Sequence, residues 1–281
     1  MRVYVTGAKG FSGSHLTASL KSLGAEVFAS STDLADKDGL RSELKLFNPE
    51  YVVHLAASSF VANKNIDSFY MVNVVGTRNL LDAIAFAVPN VTKVLITSSA
   101  AVYGNTEVEM INENVSPVPS NDYGISKLAM EMVCRLWMNH LPIIITRPFN
   151  FTGVGQSLNF VIPKIVQHFK TGQQTIQLGN VDVFREFGDV RDFVDSYIGL
   201  MALGRQGQTY NICNGNLYSL REVISFCQQI SGRTIAIEQN PDLIRLGEIQ
   251  RLGGEPDLLF STLNRCNRYT IKDTLSWMLD A

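Results

Sequence analysis

Val5-Thr6-Gly7-Ala8-Lys9-Gly10-Phe11-Ser12-Gly13 leads from an apolar β-pattern at residues 3–6 directly into a helical pattern. Its three glycines answer three steric demands. Gly7 permits a tight turn, Gly10 lets backbone amides approach a pyrophosphate, and Gly13 allows the helix to pack closely on the strand. The helix start then offers unpaired N–H groups and the positive end of its dipole to phosphate oxygens. A strand, a glycine loop and a helix in this order open a dinucleotide-binding βαβ unit.

The pattern continues outward from that loop. Apolar runs rich in Val, Ile and Leu at Glu26–Ala29, 51–56, Lys93–Thr97 and 142–146 read as strands covered on both faces. Between them lie helical stretches: Leu16, Leu20 and Leu23 before Gly24, residues 67–87 ended by Pro89, and residues 123–139 with Leu128, Met132 and Leu136 on one stripe. Strand–helix alternation implies a parallel sheet with right-handed crossovers. Beyond residue 150 the pattern loosens. A helix is expected at 159–170, a strand at 209–213 returning to the sheet, and a capping box at Ser219-Leu220-Arg221-Glu222 opening a helix that Gly232 closes. A short strand at 233–238 and a last helix capped from Thr270 complete the reading. The expected architecture is α/β: a Rossmann-type doubly wound parallel sheet with a smaller, interleaved C-terminal α/β substrate domain. Residues 1–155 and 183–216 form the cofactor domain, and 156–182 and 217–281 the substrate domain.

Composition narrows the function classes. The 281 residues are 46% hydrophobic and 18% charged, with a net charge of -2, which gives no broad pull toward nucleic acid or anionic membrane. There is no apolar run of membrane-spanning length and no signal-peptide pattern at the start, so a cytoplasmic protein is expected. Cys134, Cys213, Cys227 and Cys266 form no C-x-x-C pair, and the four histidines are scattered, so no metal site is expected.

Two further motifs carry chemistry. Tyr123-Gly124-Ile125-Ser126-Lys127 puts a phenol and an ammonium one helical turn apart, about 6 Å on one face. A cation there favours tyrosinate, which makes Tyr123 a proton carrier at neutral pH. Ser98-Ser99-Ala100-Ala101-Val102-Tyr103-Gly104 follows a strand, at the sheet edge where such folds bind ligands.

With the glycine loop, these motifs resemble the extended short-chain dehydrogenase/reductases, the NAD-dependent epimerase/dehydratase family. His54-Leu55-Ala56-Ala57 is similar to that family's fourth-strand segment beside the cofactor, and Asn73-Val74-Val75-Gly76-Thr77 to its central-helix motif. The resemblance implies an NAD(P)-dependent enzyme acting on a sugar nucleotide, with Ser99, Tyr123 and Lys127 catalytic and Ser98 the weaker alternative to Ser99. It places the Ser98–Gly104 motif after the fifth strand of the family's sheet. Gly7, Gly10, Phe11, Ser12, Gly13, Ser31, Asp33, Leu34, Leu55, Ala56, Ala57 and Asn73 would contact the cofactor along with Tyr123 and Lys127. Ser31 stands where NAD-preferring members carry an acid, and no cation follows it, so the choice of NAD or NADP stays open.

On the substrate side the resemblance assigns Ser99, Asn150, and two diphosphate-gripping arginines, Arg185 and Arg245. Asp192 is expected to be structural. Members that eliminate water carry acids after the catalytic serine, and this chain has Ala100 and Ala101, so a 4,6-dehydratase is disfavoured. The segments Arg147-Pro148-Phe149-Asn150 and Asn159-Phe160-Val161-Ile162-Pro163 look most like GDP-4-keto-6-deoxy-D-mannose reductases. The implied reaction is NAD(P)H-dependent reduction of the C4 ketone of a GDP-linked sugar. Alternatives are a sugar-nucleotide 4-epimerase and a non-catalytic cofactor-binding sensor. A homodimer through helices 67–87 and 123–139 is expected by analogy, with Met130, Cys134 and Trp137 suited to its interface.

Overall fold

Side chains alternate across a strand, so a strand that is apolar throughout must be covered on both faces. The computed structural model, which describes residues 1–59, 65–243 and 250–281, shows this arrangement. Six strands, β1 (Arg2–Thr6), β2 (Glu26–Ala29), β3 (Tyr51–His54), β4 (Lys93–Thr97), β5 (Ile143–Pro148) and β6 (Thr209–Ile212), form one all-parallel sheet in the order β6-β5-β4-β3-β1-β2. Tyr4, Val52, Val94, Ile96, Ile143 and Ile145 point to one face. They pack there on helices α2 (Lys37–Phe47), α3 (Thr77–Ala87) and α4 (Asp122–Trp137). Val3, Val5, Val53, Leu95 and Ile144 point to the other face, against α1 (Phe11–Ser22) and α6 (Val190–Leu203). A third apolar cluster joins α5 (Val161–Thr171), α7 (Leu220–Ser231) and α8 (Ile271–Asp280) through Ile165, Phe169, Val223, Cys227 and Leu275.

The strand order reverses between β1 and β3, and ligands bind in the crevice such a reversal opens. The Ser98–Gly104 motif follows β4, the fourth strand of this sheet rather than the fifth. The chain passes from β2 through a short connection into α2 and then β3, leaving β2 at the sheet edge. Smaller sheets flank the main one: Leu217–Ser219, Phe184–Glu186, Arg251–Gly254 and Met110–Ile111 join side by side, and Ala236–Gln239 pairs with Thr175–Leu178.

Several expected elements differ in detail. Residues 67–87 are not one regular helix: a wider π-helical turn spans Tyr70–Gly76 before α3. Of the Leu128, Met132 and Leu136 stripe, Leu128 is half-buried against the cluster of Val102, Tyr103, Ile111, Phe149 and Cys213, and Met132 and Leu136 are exposed, while Met130 and Cys134 are in the core. Leu23 is likewise exposed, and Leu16 and Leu20 carry the packing of α1. Ser219 and Thr270 both form the capping boxes that start α7 and α8.

Candidate active site

The glycine loop is built by contacts that exclude side chains. Gly7 has φ +70, and a Cβ there would stand 2.6 Å from the Ala56 backbone nitrogen. A Cβ on Gly13 would collide with the Gly7 carbonyl oxygen. Gly10 N–H donates to that same oxygen at 3.0 Å, closing the turn. No side chain caps α1 at Gly10, and its first turn holds no acid. By contrast Asp36, Asn121, Asp189, Ser219 and Thr270 cap α2, α4, α6, α7 and α8. A cradle with no room for Cβ atoms and an uncapped helix end fits a pyrophosphate.

One cleft of about 1770 Å³ joins this loop to the carboxyl ends of β3, β4 and β5. That exceeds the roughly 300–1,000 Å³ that holds one small ligand and suits two ligands end to end. Gly7, Gly10, Phe11, Ser12, Asp33, Leu34, Leu55, Ala56, Ala57, Ser99, Tyr123, Lys127, Asn150 and Arg185 all line it. Three expected cofactor contacts do not. Gly13 lies beneath the loop, and Ser31 is exposed outside the lining. Asn73 is fully buried: its amide accepts from Ser58 N–H at 3.0 Å and donates to Ser58 O and Ser126 Oγ, each at 3.0 Å. It braces the cleft wall from behind instead of facing a ligand. Arg245 lies outside the described residues.

At the centre, Asn121 Oδ1 accepts from Gly124 N–H at 2.9 Å and starts α4 so that Tyr123 falls in its first turn. Ser126 Oγ donates to Tyr123 O at 2.8 Å, and Phe69 packs edge-on against the Tyr123 ring. Ser99 caps the short turn Ala100–Tyr103, accepting from Ala101 N–H at 3.1 Å. Of the two serines, Ser99 is the one whose side chain opposes the rise of the Tyr123 phenol, while the buried Ser98 Oγ has no partner among the described residues. Lys127 is buried and donates to Thr97 O at 2.8 Å. Burial pushes its ammonium down to about 8, against the upward pull of Cys134 and Glu131.

Tyr123 departs from the expectation of tyrosinate. Burial raises its phenol above 10.0, and the Ser99 hydrogen bond only partly opposes this. The ammonium of Lys127 is turned to the Thr97 carbonyl, so Tyr123 stands as a proton donor.

Sequence reasoning missed part of the cleft. Asn105 and Lys164, to which it gave no role, line the cleft beside Phe149 and Gln156, and α5 opens into it through the Asn159, Phe160 and Val161 of the segment quoted above. That helix too begins without a side-chain cap or an acid in its first turn. The signal was the lack of Ser, Thr, Asp or Asn at its cap position. Asp192 accepts from Arg268 N–H at 3.0 Å and Tyr269 N–H at 3.1 Å, a tie between segments away from the cleft lining.

Residues 3–213 match the family model described as the NAD dependent epimerase/dehydratase family. The chain belongs to that family. It is an NAD(P)-dependent enzyme of this group. Among its relatives, GDP-6-deoxy-D-talose 4-dehydrogenase of Aggregatibacter actinomycetemcomitans is 36% identical over 277 residues, 96% of this chain and 94% of the relative. GDP-6-deoxy-D-mannose reductase of Pseudomonas aeruginosa is 33% identical, over 99% of this chain and 96% of that protein. The solved structure of RMD from Pseudomonas aeruginosa complexed with NADPH superposes with a TM-score of 0.91 at 31% identity, covering 99% of this chain and 97% of that one.

Proposed function

We propose that this epimerase/dehydratase-family enzyme reduces the C4 ketone of a nucleotide-linked 4-keto-6-deoxy sugar, GDP-4-keto-6-deoxy-D-mannose above others. The observation that carries this reading is the set of ionisable groups on the cleft wall. Among the described lining residues these are Tyr123, Lys127, Lys164, Arg185 and Asp33. The one acid, Asp33, lies with Leu34 and Ala35 in the connection after β2, not beside Tyr123. Elimination across a sugar needs an acid and a base at the reacting carbons, and Ala100 and Ala101 supply neither. What the site offers instead is one proton donor and one hydrogen-bonding hydroxyl, the needs of a carbonyl reduction.

A bound reduced nicotinamide, NADH or NADPH, supplies the hydride of such a reaction. Tyr123 donates its phenolic proton to the oxygen on C4. Ser99 hydrogen-bonds the same oxygen and steadies the charge that develops there. Lys127 holds the cofactor ribose. Gly7, Gly10 and the α1 start hold the cofactor pyrophosphate, and Arg185 and Asn150 grip the sugar nucleotide. In this reading residues 1–155 and 183–216 carry the cofactor, and 156–182 and 217–281 the substrate. The relatives that act on GDP-linked 6-deoxy sugars support the choice of base and sugar. No helix among the described residues is long and apolar enough to cross a membrane, in keeping with a cytoplasmic enzyme. The exposed Phe86, Ile125, Met132 and Leu136 on α3 and α4 support a homodimer through that face. Met130 and Cys134 belong to the core and take no part in it.

The test is turnover of GDP-, dTDP-, UDP- and CDP-linked 4-keto-6-deoxy sugars with each reduced cofactor. The GDP-linked substrate should give the highest kcat/KM. A cofactor-neutral inversion at C4 of an ordinary sugar nucleotide would point to the 4-epimerase instead.

A further inference from the structure

His54 closes β3 with its imidazole buried between the end of β1 and the start of α3. Its Nδ1 lies 2.7 Å from Thr6 Oγ1, and its Nε2 lies 2.9 Å from Thr77 Oγ1. The neighbours decide which nitrogen carries the hydrogen. Thr77 Oγ1 lies 2.7 Å from the Asn73 carbonyl oxygen, which can only accept, so the one hydrogen of Thr77 is spent there. Toward His54 that hydroxyl can therefore only accept, and Nε2–H is the donor. Burial, with the Lys127 charge adding to it, pushes the imidazole down to about 3, so the ring is neutral and Nδ1 keeps its lone pair. Thr6 Oγ1 donates to that lone pair and accepts in turn from Ala56 N–H at 3.3 Å.

The chain of bonds continues past the ring to the catalytic helix. Asn73, whose carbonyl takes the Thr77 hydrogen, gives Nδ2–H to Ser126 Oγ at 3.0 Å. Ser126 Oγ gives its own hydrogen to Tyr123 O at 2.8 Å. The Thr6, Thr77 and Ser126 hydroxyls each take one hydrogen and give one, which fixes a single direction throughout. Thr6, His54, Asn73, Thr77 and Ser126 are all buried, so a broken link leaves a polar group unpaired away from water. At one end the bonds hold the cofactor loop. Thr6 precedes Gly7, and the cleft-lining Ala56 has its backbone in contact with Gly7. At the other end they hold the first turn of α4, which carries Tyr123.

We infer that His54, as its Nε2–H tautomer, is a positioning residue that ties the cofactor loop to the first turn of α4 and so holds Tyr123 in register with that loop. The inference rests on the reduction proposed above and names the residue that aligns its two halves. A hydride donor held at the loop and a proton donor on α4 must meet at one carbonyl group. A misplacement on the order of 1 Å between them costs about 10²-fold in rate.

The tautomer is read by long-range ¹H–¹⁵N NMR on the full chain, with neither cofactor nor substrate. His54 should show Nε2–H and an unprotonated Nδ1. Thr77→Val keeps the side-chain shape and removes the acceptor of Nε2–H, and Ser126→Ala breaks the far end. Each should lower kcat by about tenfold or more with the dissociation constants of NADH and NADPH unchanged by calorimetry. The two sites do not touch, so independent effects would multiply; links that act as one should leave the double variant no slower than the slower single. Without substrate, the Tyr123 ¹³Cζ signal of the NADH complex should shift in both variants. An Nδ1–H tautomer or an imidazolium overturns the inference. So does a lowered melting temperature with kcat and the Tyr123 signal intact, which is the mark of a merely structural role, and so do losses that multiply in the double variant. Absence of turnover in the parent chain would overturn the functional reading alone, and the tautomer and the Tyr123 signal would still decide this one.

Discussion

Burial holds Tyr123 as a phenol at neutral pH, with Ser99 at its hydroxyl and Lys127 one turn along α4. Removing that hydroxyl should therefore separate binding from chemistry. Tyr123→Phe is expected to bind NADH normally by fluorescence titration and to lose kcat by about 10²-fold or more. Two buried groups give the protein a pH signature. Lys127 is pushed down to about 8 from 10.5, so the folded state bears a buried ammonium below about 8 that the unfolded chain carries without cost. As pH rises from 8 toward 10.5 the folded state releases that proton first, and this group's contribution to stability improves. Glu186 is raised from 4.5 to about 8 by burial, despite backbone N–H donors from Gly254, Asn214 and Gly215. Its folded form binds the extra proton, so its contribution is lost as pH rises from 4.5 to 8. Thermal melts across these windows should show both slopes. Lys127→Met should remove the upper one and Glu186→Gln the lower one. The Tyr123–Lys127 pair was legible in the sequence because its spacing is local, one helical turn, whereas Ser99, 24 residues earlier, was marked out only by the family resemblance. The tie from Lys127 to the Thr97 carbonyl was not legible, because a backbone acceptor leaves no mark on residue type.

Helix α4 is fastened beneath the site by Glu131, two turns after Tyr123. Its carboxylate meets Arg147 on β5 in two hydrogen bonds of 2.9 and 2.6 Å, both side chains buried, and Arg147 also donates to Tyr103 Oη at 3.0 Å. Leaving the arginine buried without its partner should cost ~3–5 kcal/mol. Glu131→Ala should lower the denaturation midpoint accordingly, and Glu131→Leu with Arg147→Met should recover much of the loss. An unchanged midpoint in Glu131→Ala would show that the pair does not hold the helix. The elements themselves were largely readable, since strands buried on both faces and capped helices leave strong patterns. Orientation was less so. Met132 and Leu136 continue the stripe from Leu128 as regularly as Cys134 follows Met130, yet they are exposed, and periodicity reveals that a face exists without saying which one meets the core. Strands such as Met110–Ile111 are too short to show alternation, and the π-helical turn at Tyr70–Gly76 leaves the helical pattern around it intact.

For the molecule as a whole, the sheet order brings the β1 loop, the β4 motif and the α4 start to one edge, which the run of strands and helices foretold. The join of Phe184–Glu186, Arg251–Gly254 and Met110–Ile111 was not foretold, because it pairs segments far apart in the chain through two to four residues each. The same whole-molecule view leaves Phe86, Met132 and Leu136 exposed on neighbouring helices, with Leu136 at 77%. If two copies bury this face, Met132→Lys with Leu136→Glu should give a monomer in sedimentation velocity where the parent chain sediments as a dimer. The central claim, a reduction at C4 driven by Tyr123, is tested most directly by counting cofactor against product with GDP-4-keto-6-deoxy-D-mannose. The expected result is one NADH or NADPH oxidised for each C4 ketone reduced, abolished in Tyr123→Phe. Conversion at C4 with no net consumption of cofactor, or full turnover by Tyr123→Phe, would contradict it.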